Sequence, residues 1–420
     1  MIIDNEYFRY GFRVLDAGGG ARGAYYMSEQ LNCSGFESAE IVYIDFSPLS
    51  ASIAKEMIRI RRTSNVVWIV SWIEAIPFLG LGTFNLFSST GVIHHLKNPS
   101  IGLKILREMI KPGGGGSMMV YNKIGRTDIY HMQHLFGMIN MNINNISTEI
   151  SNAKQVLKKL KSNPWFHWRD DGDIETYDRY MHKRDIAFTV KSLEKWLAKN
   201  DFRIVDFALE KIRAGMAIDV MIPDNRLRDI MKKLNFNILH ILDLFSGHIK
   251  MHEVYVSPSS SKLSKADLFA KDMTIACRGH VRFIDSFNDT TFDYSEKNLL
   301  FYKGSIKKYI TESGQKSTSI YKVQGGTFNF AIPISNLTKY LFEANQIAKL
   351  RRLPLTPYQL IEEFKSKTKY KGSYQALRKE FREIFEYLEK TGIFYLKHKS
   401  VGLFPKTEGY TKYKIYGIKS

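Results

Sequence analysis

Short apolar runs recur along the first third of the chain, separated by stretches whose apolar residues fall at helical spacing. The runs occupy residues 12–15, 41–44, 66–70, 84–87 and 117–121. Continuous apolar strands alternating with helices build a parallel sheet covered on both faces. Five such units predict a doubly wound, mostly parallel α/β sheet of Rossmann-like type. Its ligand belongs in the crevice at the carboxyl ends of the strands, near the point where strand order reverses. From Thr127 to about Asn200 the pattern is mostly helical. Residues 163–172, an aromatic and charged interlude that periodicity does not explain, suit a lid over a substrate. Two later strand-like runs, Phe202–Phe207 and 254–256, flank a helical stretch around 224–244 and can complete the sheet with an antiparallel edge.

Residues 257–264 are small, polar and contain Pro258, which reads as a linker. The first domain is therefore placed at 1–257, with the helical insertion at about 127–200. Residues 258–330 carry mixed short patterns and are left as an unassigned connection. Residues 331–420 form a smaller α+β region. A helix is expected over 336–349, a second opens at Thr356 and Pro357, and a third over 374–391 carries a one-sided stripe of Leu377, Phe381, Ile384, Phe385 and Leu388. If 392–397 then pairs with 401–404 as a hairpin, the result is a winged-helix-like module, a type that binds nucleic acid or serves as a packing unit.

Composition narrows the class. Hydrophobic residues make up 44% of the 420, enough for packed cores and against wholesale disorder. Cys33 and Cys277 are the only cysteines, too few for a disulfide framework or a thiolate metal site, and they fit a reducing compartment. Acidic residues near the start, where a secretory leader carries basic ones, and the lack of any run of about 18 apolar residues point to a soluble, cytoplasmic protein without a membrane span. The formal charge of +19 favours polyanionic partners. Residues 331–420 hold 18 Lys and Arg against 8 Asp and Glu, so a polyanion contact is expected there, although a lysine-rich genome produces the same bias.

The candidate chemistry begins at 14–23, Val-Leu-Asp-Ala-Gly-Gly-Gly-Ala-Arg-Gly. A glycine-rich turn between a strand and a helix lets a ligand approach the backbone at the helix N-terminus. Gly18, Gly20 and Gly23 satisfy the dinucleotide spacing, and Asp45 ends the second strand where a carboxylate would hold ribose hydroxyls. On this turn alone an NAD-dependent oxidoreductase is a live alternative. Three further pieces decide: Ile-Val-Tyr-Ile-Asp-Phe-Ser at 41–47, Gly-Val-Ile-His-His-Leu at 91–96 and Leu-Arg-Glu-Met-Ile-Lys-Pro-Gly-Gly at 106–114. With the glycine turn, in this order, they resemble the class I S-adenosylmethionine (SAM)-dependent methyltransferases. Later text, such as Asp-Arg-Tyr-Met-His at 178–182, resembles a bacterial-type subgroup of unassigned substrate.

The resemblance implies a methyltransferase with SAM as cofactor. It puts Asp16, Gly18 and Gly20 around the methionine end of SAM, Asp45 on the ribose, Ser71 and Trp72 at the adenine, and the stretch through Ser89 and Gly91 along the aminopropyl arm. Arg22 stands where the family's third glycine usually falls, with glycine delayed to Gly23. A non-catalytic protein with a degenerate SAM site, serving regulation or nucleic-acid binding, is the other reading of that departure.

Methyl transfer is an in-line displacement, so the protein supplies positioning and, for a protonated acceptor, a base. His94, His95, His182 and Asp185 are the catalytic candidates; the bland alternatives are a capped loop for the two adjacent histidines and structural salt bridges for the rest. Tyr177, Asp178, His182 and Asp185 would share one face if their stretch is helical. With Tyr121 and Asn122 at the end of the fifth strand, Tyr177 and Asp178 are the substrate-binding candidates. Trp165, Phe166, His167 and Trp168 could wall an acceptor or simply pack a loop. No metal site is expected from the spacing of His131, His134 and His182. The acceptor is read as a small molecule ahead of protein or RNA, since the sequence lacks both an Asn-Pro-Pro-Tyr-like tetrapeptide and a catalytic cysteine pair.

Overall fold

A computed structural model of the chain describes residues 11–33, 36, 38–61, 65–160, 172–182, 184–207, 226–227, 230, 243, 250–261 and 267–277. It further describes strands within 281–333 and, beyond them, residues 336–341, 346, 349–350, 353–390 and 394–399. The aromatic interlude around Trp165 to Trp168 and most of the 224–244 stretch lie outside these residues.

Seven strands form one sheet: β1 (Arg13–Ala17), β2 (Glu40–Asp45), β3 (Val66–Val70), β4 (Phe84–Thr90), β5 (Ile110–Tyr121), β6 (Phe202–Phe207) and β7 (Met251–Pro258). Their order is β3-β2-β1-β4-β5-β7-β6. β3, β2, β1, β4 and β5 run parallel, and β7 is antiparallel to both β5 and β6. This is the Rossmann-like class I fold, and the reversed strand second from the edge separates it from the all-parallel 3-2-1-4-5-6 order of dinucleotide-binding sheets. The antiparallel edge expected from 202–207 and 254–256 is present, but β7 runs through Pro258. Ser257 is buried in it and its hydroxyl donates to the Gly114 carbonyl, so the proposed linker starts inside the sheet.

Helices cover both faces, which is why the strands read as unbroken apolar runs. On one face, α1 (Gly23–Cys33) and α2 (Pro48–Arg61) pack Ala24, Ala51 and Ala54 against Tyr43. On the other, α3 (Pro99–Met109) and α7 (Val190–Lys199) bury Leu103, Leu106, Leu193 and Leu197 against Leu15, Val42 and Phe87. Each of those leucines contributes about 1.5–3 kcal/mol by leaving water. Asn98 caps α3 by accepting from the Ser100 and Ile101 N–H groups, and Pro99 occupies the first turn, where its missing donor costs nothing.

The helical insertion is α4 (Thr127–Ile139), α5 (Ile146–Lys159) and α6 (Asp173–Tyr180), closed around Ile129, Phe136, Leu157 and Tyr180. α6 stops at Tyr180, so His182 and Asp185 lie in the irregular segment beyond it. The single helical face expected for Tyr177, Asp178, His182 and Asp185 does not form.

Further along, β8 (Met273–Cys277) precedes a largely antiparallel sheet of β9 (Val281–Asp285), β10 (Thr290–Ser295), β11 (Asn298–Leu299), β12 (Tyr309–Ile310), β13 (Lys316–Val323) and β14 (Gly326–Pro333). The sequence reading left this region unassigned. Helices α8 (Asn336–Leu341), α9 (Pro357–Thr368) and α10 (Tyr374–Lys390) lie beyond it, with β15 (Phe394–His398) after α10. Thr356 and Gln359 form a reciprocal cap at the start of α9, as Thr356-Pro357 implied. Leu360, Phe364, Leu377, Phe381, Ile384 and Phe385 meet in one core. β15 pairs with β8, more than a hundred residues upstream, and the hairpin partner expected at 401–404 lies outside the described residues.

Candidate functional site

The strand order reverses between β1 and β4, and the turns that follow these two strands face each other. Gly18 sits at φ +78°, and a Cβ there would come within 2.5 Å of the Val92 side chain, just after β4. Only a glycine permits both that backbone angle and that approach. The Gly18 N–H donates to the Ile44 carbonyl (2.7 Å), tying the turn to the end of β2.

Two carboxylates stand at this turn. Asp45 accepts the Gly20 N–H on Oδ2 (2.9 Å) and the Ser47 N–H on Oδ1 (2.8 Å). A carboxylate has about four lone-pair directions, so each oxygen keeps one for a ligand hydroxyl. Asp16 is 2% exposed, and its Oδ2 has no hydrogen-bond partner. Burial, with the Asp45 charge beside it, pushes the Asp16 carboxyl up to about 7. A buried carboxylate atom left without a donor is costly, and it marks a place where a ligand donor or cation completes the structure.

Arg22 is exposed, while Gly23 opens α1 directly over Asp16: a Cβ at 23 would fall 2.6 Å from Asp16 Oδ2. The delayed glycine is therefore the one the carboxylate requires. On the far side of the crevice Ser89 is buried with an unpartnered hydroxyl, and Gly91 turns at φ +75° with its N–H donating to the Met119 carbonyl. Beyond β2 and β3, Phe46 and Trp72 stack with centroids 4.8 Å apart and planes 4° from parallel, both about three-fifths exposed. Ser71, half-buried, donates its N–H to the Asp45 carbonyl (3.0 Å). The structure thus brings Asp16, Gly18, Gly20, Asp45, Ser71, Trp72, Ser89 and Gly91 to the ends of β1 to β4. Phe46 was named only within a motif; its place directly after Asp45 was the available signal.

The catalytic and substrate candidates divide. His94 is fully buried with both ring nitrogens unpartnered, and desolvation, with the neighbouring His95, Arg126 and His182 charges, lowers it to about 2. It packs on His95 and Tyr121 (centroids 4.1 Å each). His94 is thus a neutral imidazole sealed from solvent inside the wall.

His95 is half-buried, packs against His182 (centroids 4.0 Å, planes tilted by 42°) and lies edge-on to Tyr121. Asp178, exposed on α6, completes a group whose ligating atoms all lie within 4.8 Å of one another: His95, Asp178 and His182. Sequence spacing did not suggest this cluster. Tyr177, half-buried, precedes Asp178 on the same helix.

Asn122 and Asp185 turn inward. Asn122 is fully buried; its Oδ1 accepts from Ile124 and Gly125 N–H, and its Nδ2 donates to Asp243 Oδ1 (2.5 Å). Asp243 also accepts the Val190 N–H, so this network ties the end of β5 to the start of α7 through the fully buried Asn122 side chain. The Asp185 side chain is 3% exposed and accepts from Arg126, Tyr130 and Gln133, each at 3.3 Å. Arg126 in turn lies over the Tyr121 ring at 3.5 Å. Asp185 is thereby a counter-ion inside the wall and not a group facing an acceptor. The sequence missed Arg126 because its partner stands 59 residues away.

Residues 15–116 match a family model described as a methyltransferase domain. An uncharacterised protein of Synechococcus is 24% identical over 209 residues, covering 47% of this chain and 48% of that protein. The chain thus spans about half the length of this curated relative. Among solved structures, PKMT2 from Rickettsia typhi in complex with AdoHcy superposes with a TM-score of 0.62 at 13% identity, covering 92% of this chain and 71% of that one. A second structure of the same Rickettsia typhi protein gives 0.59 at 14% identity, with the same coverage. These likenesses extend to the fold.

Proposed function

We propose that this chain, which carries a class I SAM-dependent methyltransferase domain built on the methyltransferase match at residues 15–116, transfers a methyl group from SAM to an acceptor bound beside His95, Asp178 and His182. The observation that carries the reading is the pair of carboxylates at the glycine turn. Asp16 is buried, with one oxygen lacking a donor, and Asp45 keeps lone pairs free at the end of β2.

These residues suit SAM. Its methionine end bears an ammonium, which answers the orphaned Asp16 oxygen, and its ribose diol answers Asp45 with short, charge-assisted hydrogen bonds. Trp72, stacked on Phe46, offers an apolar face for the base, and Ser71 and the Ser89–Gly91 stretch border the remaining length. When bound, SAM supplies an electrophilic methyl on a sulfonium. The chain orients it between the turns after β1 and β4 and keeps water from the inner wall with His94 and Tyr121, the latter fixed under the Arg126 guanidinium.

The acceptor is a small molecule ahead of protein or RNA, in a cytoplasmic protein. The half-buried pair of His95 and His182 suits a small group more than an extended strand. Among the described residues no helix is long and apolar enough to cross a membrane. The basic region 331–420, read as winged-helix-like, serves as an accessory unit and is where a polyanion would touch.

Labelled-methyl SAM incubated with fractionated lysate tests the activity. Counts entering one fraction, lost in Asp45→Ala, are expected. Calorimetric SAM binding with no transfer to any fraction would favour a regulatory SAM-binding protein instead.

A further inference from the structure

The His95 and His182 rings lie against each other, tilted by 42°, and the backbone of one residue touches both. The Arg184 carbonyl lies 2.7 Å from His95 Nδ1, and the Arg184 N–H donates to His182 Nδ1 (3.1 Å). A carbonyl can only accept a hydrogen bond, and a peptide N–H can only donate one. His95 Nδ1 must therefore carry a proton, which leaves Nε2 with a bare lone pair. His182 Nδ1 must be bare, which puts the neutral ring's proton on Nε2. We infer that the Arg184 backbone, through its N–H and its C=O, sets the two histidines in opposite tautomers, so that the pair meets the methyl acceptor as one proton acceptor, His95, and one hydrogen-bond donor, His182.

The surroundings favour a neutral His95 ring in this arrangement. Burial and the neighbouring His182 lower the His95 pKa, against the Arg184 carbonyl and the Asp178 and Asp185 charges, which raise it. Asp178 comes from α6, and Asp185 is held inside the wall by Arg126. The segment bearing Arg184 is pinned on its far side, where the Ile186 N–H donates to the His94 carbonyl and the Phe188 N–H to the Tyr121 carbonyl. Rigid backbone on a half-buried pair is what a tautomer-setting contact needs.

A base and a donor side by side fit a hydroxyl with a second oxygen next to it. His182 Nε2–H donates to the neighbouring oxygen, and the hydroxyl proton passes to His95 Nε2. The oxygen lone pair so released forms the bond to the methyl carbon, and the carbon–sulfur electron pair stays on sulfur. The same three side chains also have the composition of a metal centre, with ligating atoms within 4.8 Å. A metal ion, however, would compete with the Arg184 N–H for the His182 lone pair, so the arrangement favours proton transfer over ligation. This inference rests on the crevice being the methyl-transfer site.

The test is a nitrogen-15 spectrum of the full chain labelled at histidine, with His95→Gln and His182→Gln assigning the two rings. One ring protonated at Nδ1 and the other at Nε2 is the expected result; matching tautomers would overturn the inference. Arg184→Ala keeps the backbone and should leave both signals unchanged. Arg184→Pro lacks the N–H and should release the His182 tautomer alone, while shifts of both rings in Arg184→Ala would show that the side chain, not the backbone, is responsible. Titration with zinc alone should give no stoichiometric binding, and a one-to-one site lost in Asp178→Asn would overturn the assignment in favour of a metal centre. The labelled product should be an O-methyl ether, and an N-methyl product would contradict the hydroxyl acceptor. SAM calorimetry on the same sample tests the cofactor reading separately, so each can fail alone.

Discussion

Gly23 lies over the buried carboxylate of Asp16 so closely that a β-carbon at 23 would fall 2.6 Å from Asp16 Oδ2. The substitution Gly23→Ala must therefore displace the carboxylate or the first turn of α1. Overpacking of this kind costs about 1–3 kcal/mol. The expected outcome is a folded protein whose SAM affinity, read by calorimetry, falls by roughly 10- to 100-fold, at about 1.4 kcal/mol per factor of ten. Unchanged affinity would remove Asp16 from the cofactor site.

Asp16 also makes the ligand-free protein's stability depend on pH. Its carboxyl is raised from 3.8 to about 7 by burial and by Asp45, so between about pH 4 and 7 the folded state holds a proton that the unfolded chain has released. Stability from this group is therefore full below pH 4 and lost as pH rises through 7, by up to about 1.4 kcal/mol per unit. Denaturant titrations of wild type and Asp16→Asn across this range should diverge with that sign. An ammonium beside Asp16 favours the ionised form, so SAM affinity should rise with pH to about 7 and then level off. A flat profile in both experiments would contradict this role for the carboxylate.

His94 carries the opposite sign. The fold lowers its pKa from 6.5 to about 2, so the unfolded chain takes up a proton below 6.5 that the folded protein refuses. Its contribution is complete above pH 6.5 and lost as pH falls. His94→Phe removes that penalty, and the stability of the variant relative to wild type should grow by about 1.4 kcal/mol for each unit below 6.5. Equal shifts at pH 8 and pH 5 would show that His94 is not held neutral.

Arg126 and Asp185 are a buried pair, with side chains 8% and 3% exposed. Removing one partner strands the other charge. Arg126→Met should cost about 3–5 kcal/mol, while Arg126→Met with Asp185→Asn should cost clearly less than the sum of the two single changes. Thermal melts of the four proteins give the coupling. Strict additivity would mean that solvent already screens the pair.

The sheet and the cofactor turn were legible because both are written locally. Strands buried on two faces announce themselves as apolar runs, and the glycine turn and Asp45 fall at strand ends that the runs define. The acceptor side is made by distant residues. Asp178 and His182 reach His95 from more than eighty residues away, and Arg126 meets Asp185 across 59. Extending a helical pattern past Tyr180 placed Asp185 on one face with Tyr177, Asp178 and His182, when the chain leaves the helix there and the Asp185 side chain is buried against Arg126. Asn122 looked like a rim residue by position, yet its side chain is fully buried and bonded to Asp243 and two backbone N–H groups. β15 pairs with β8 from more than a hundred residues away, and local pattern carries no information on such a pairing.

The central claim is that the crevice between the turns after β1 and β4 holds SAM by Asp16 and Asp45. Isothermal calorimetry of the full chain with SAM, beside Asp45→Ala and a parallel titration with NADH, addresses it directly. One site per chain for SAM, weakened at least roughly tenfold in Asp45→Ala, with no heat from NADH, is the predicted result. A folded wild-type protein that binds NADH, or that binds SAM equally well with and without the Asp45 carboxylate, would contradict it.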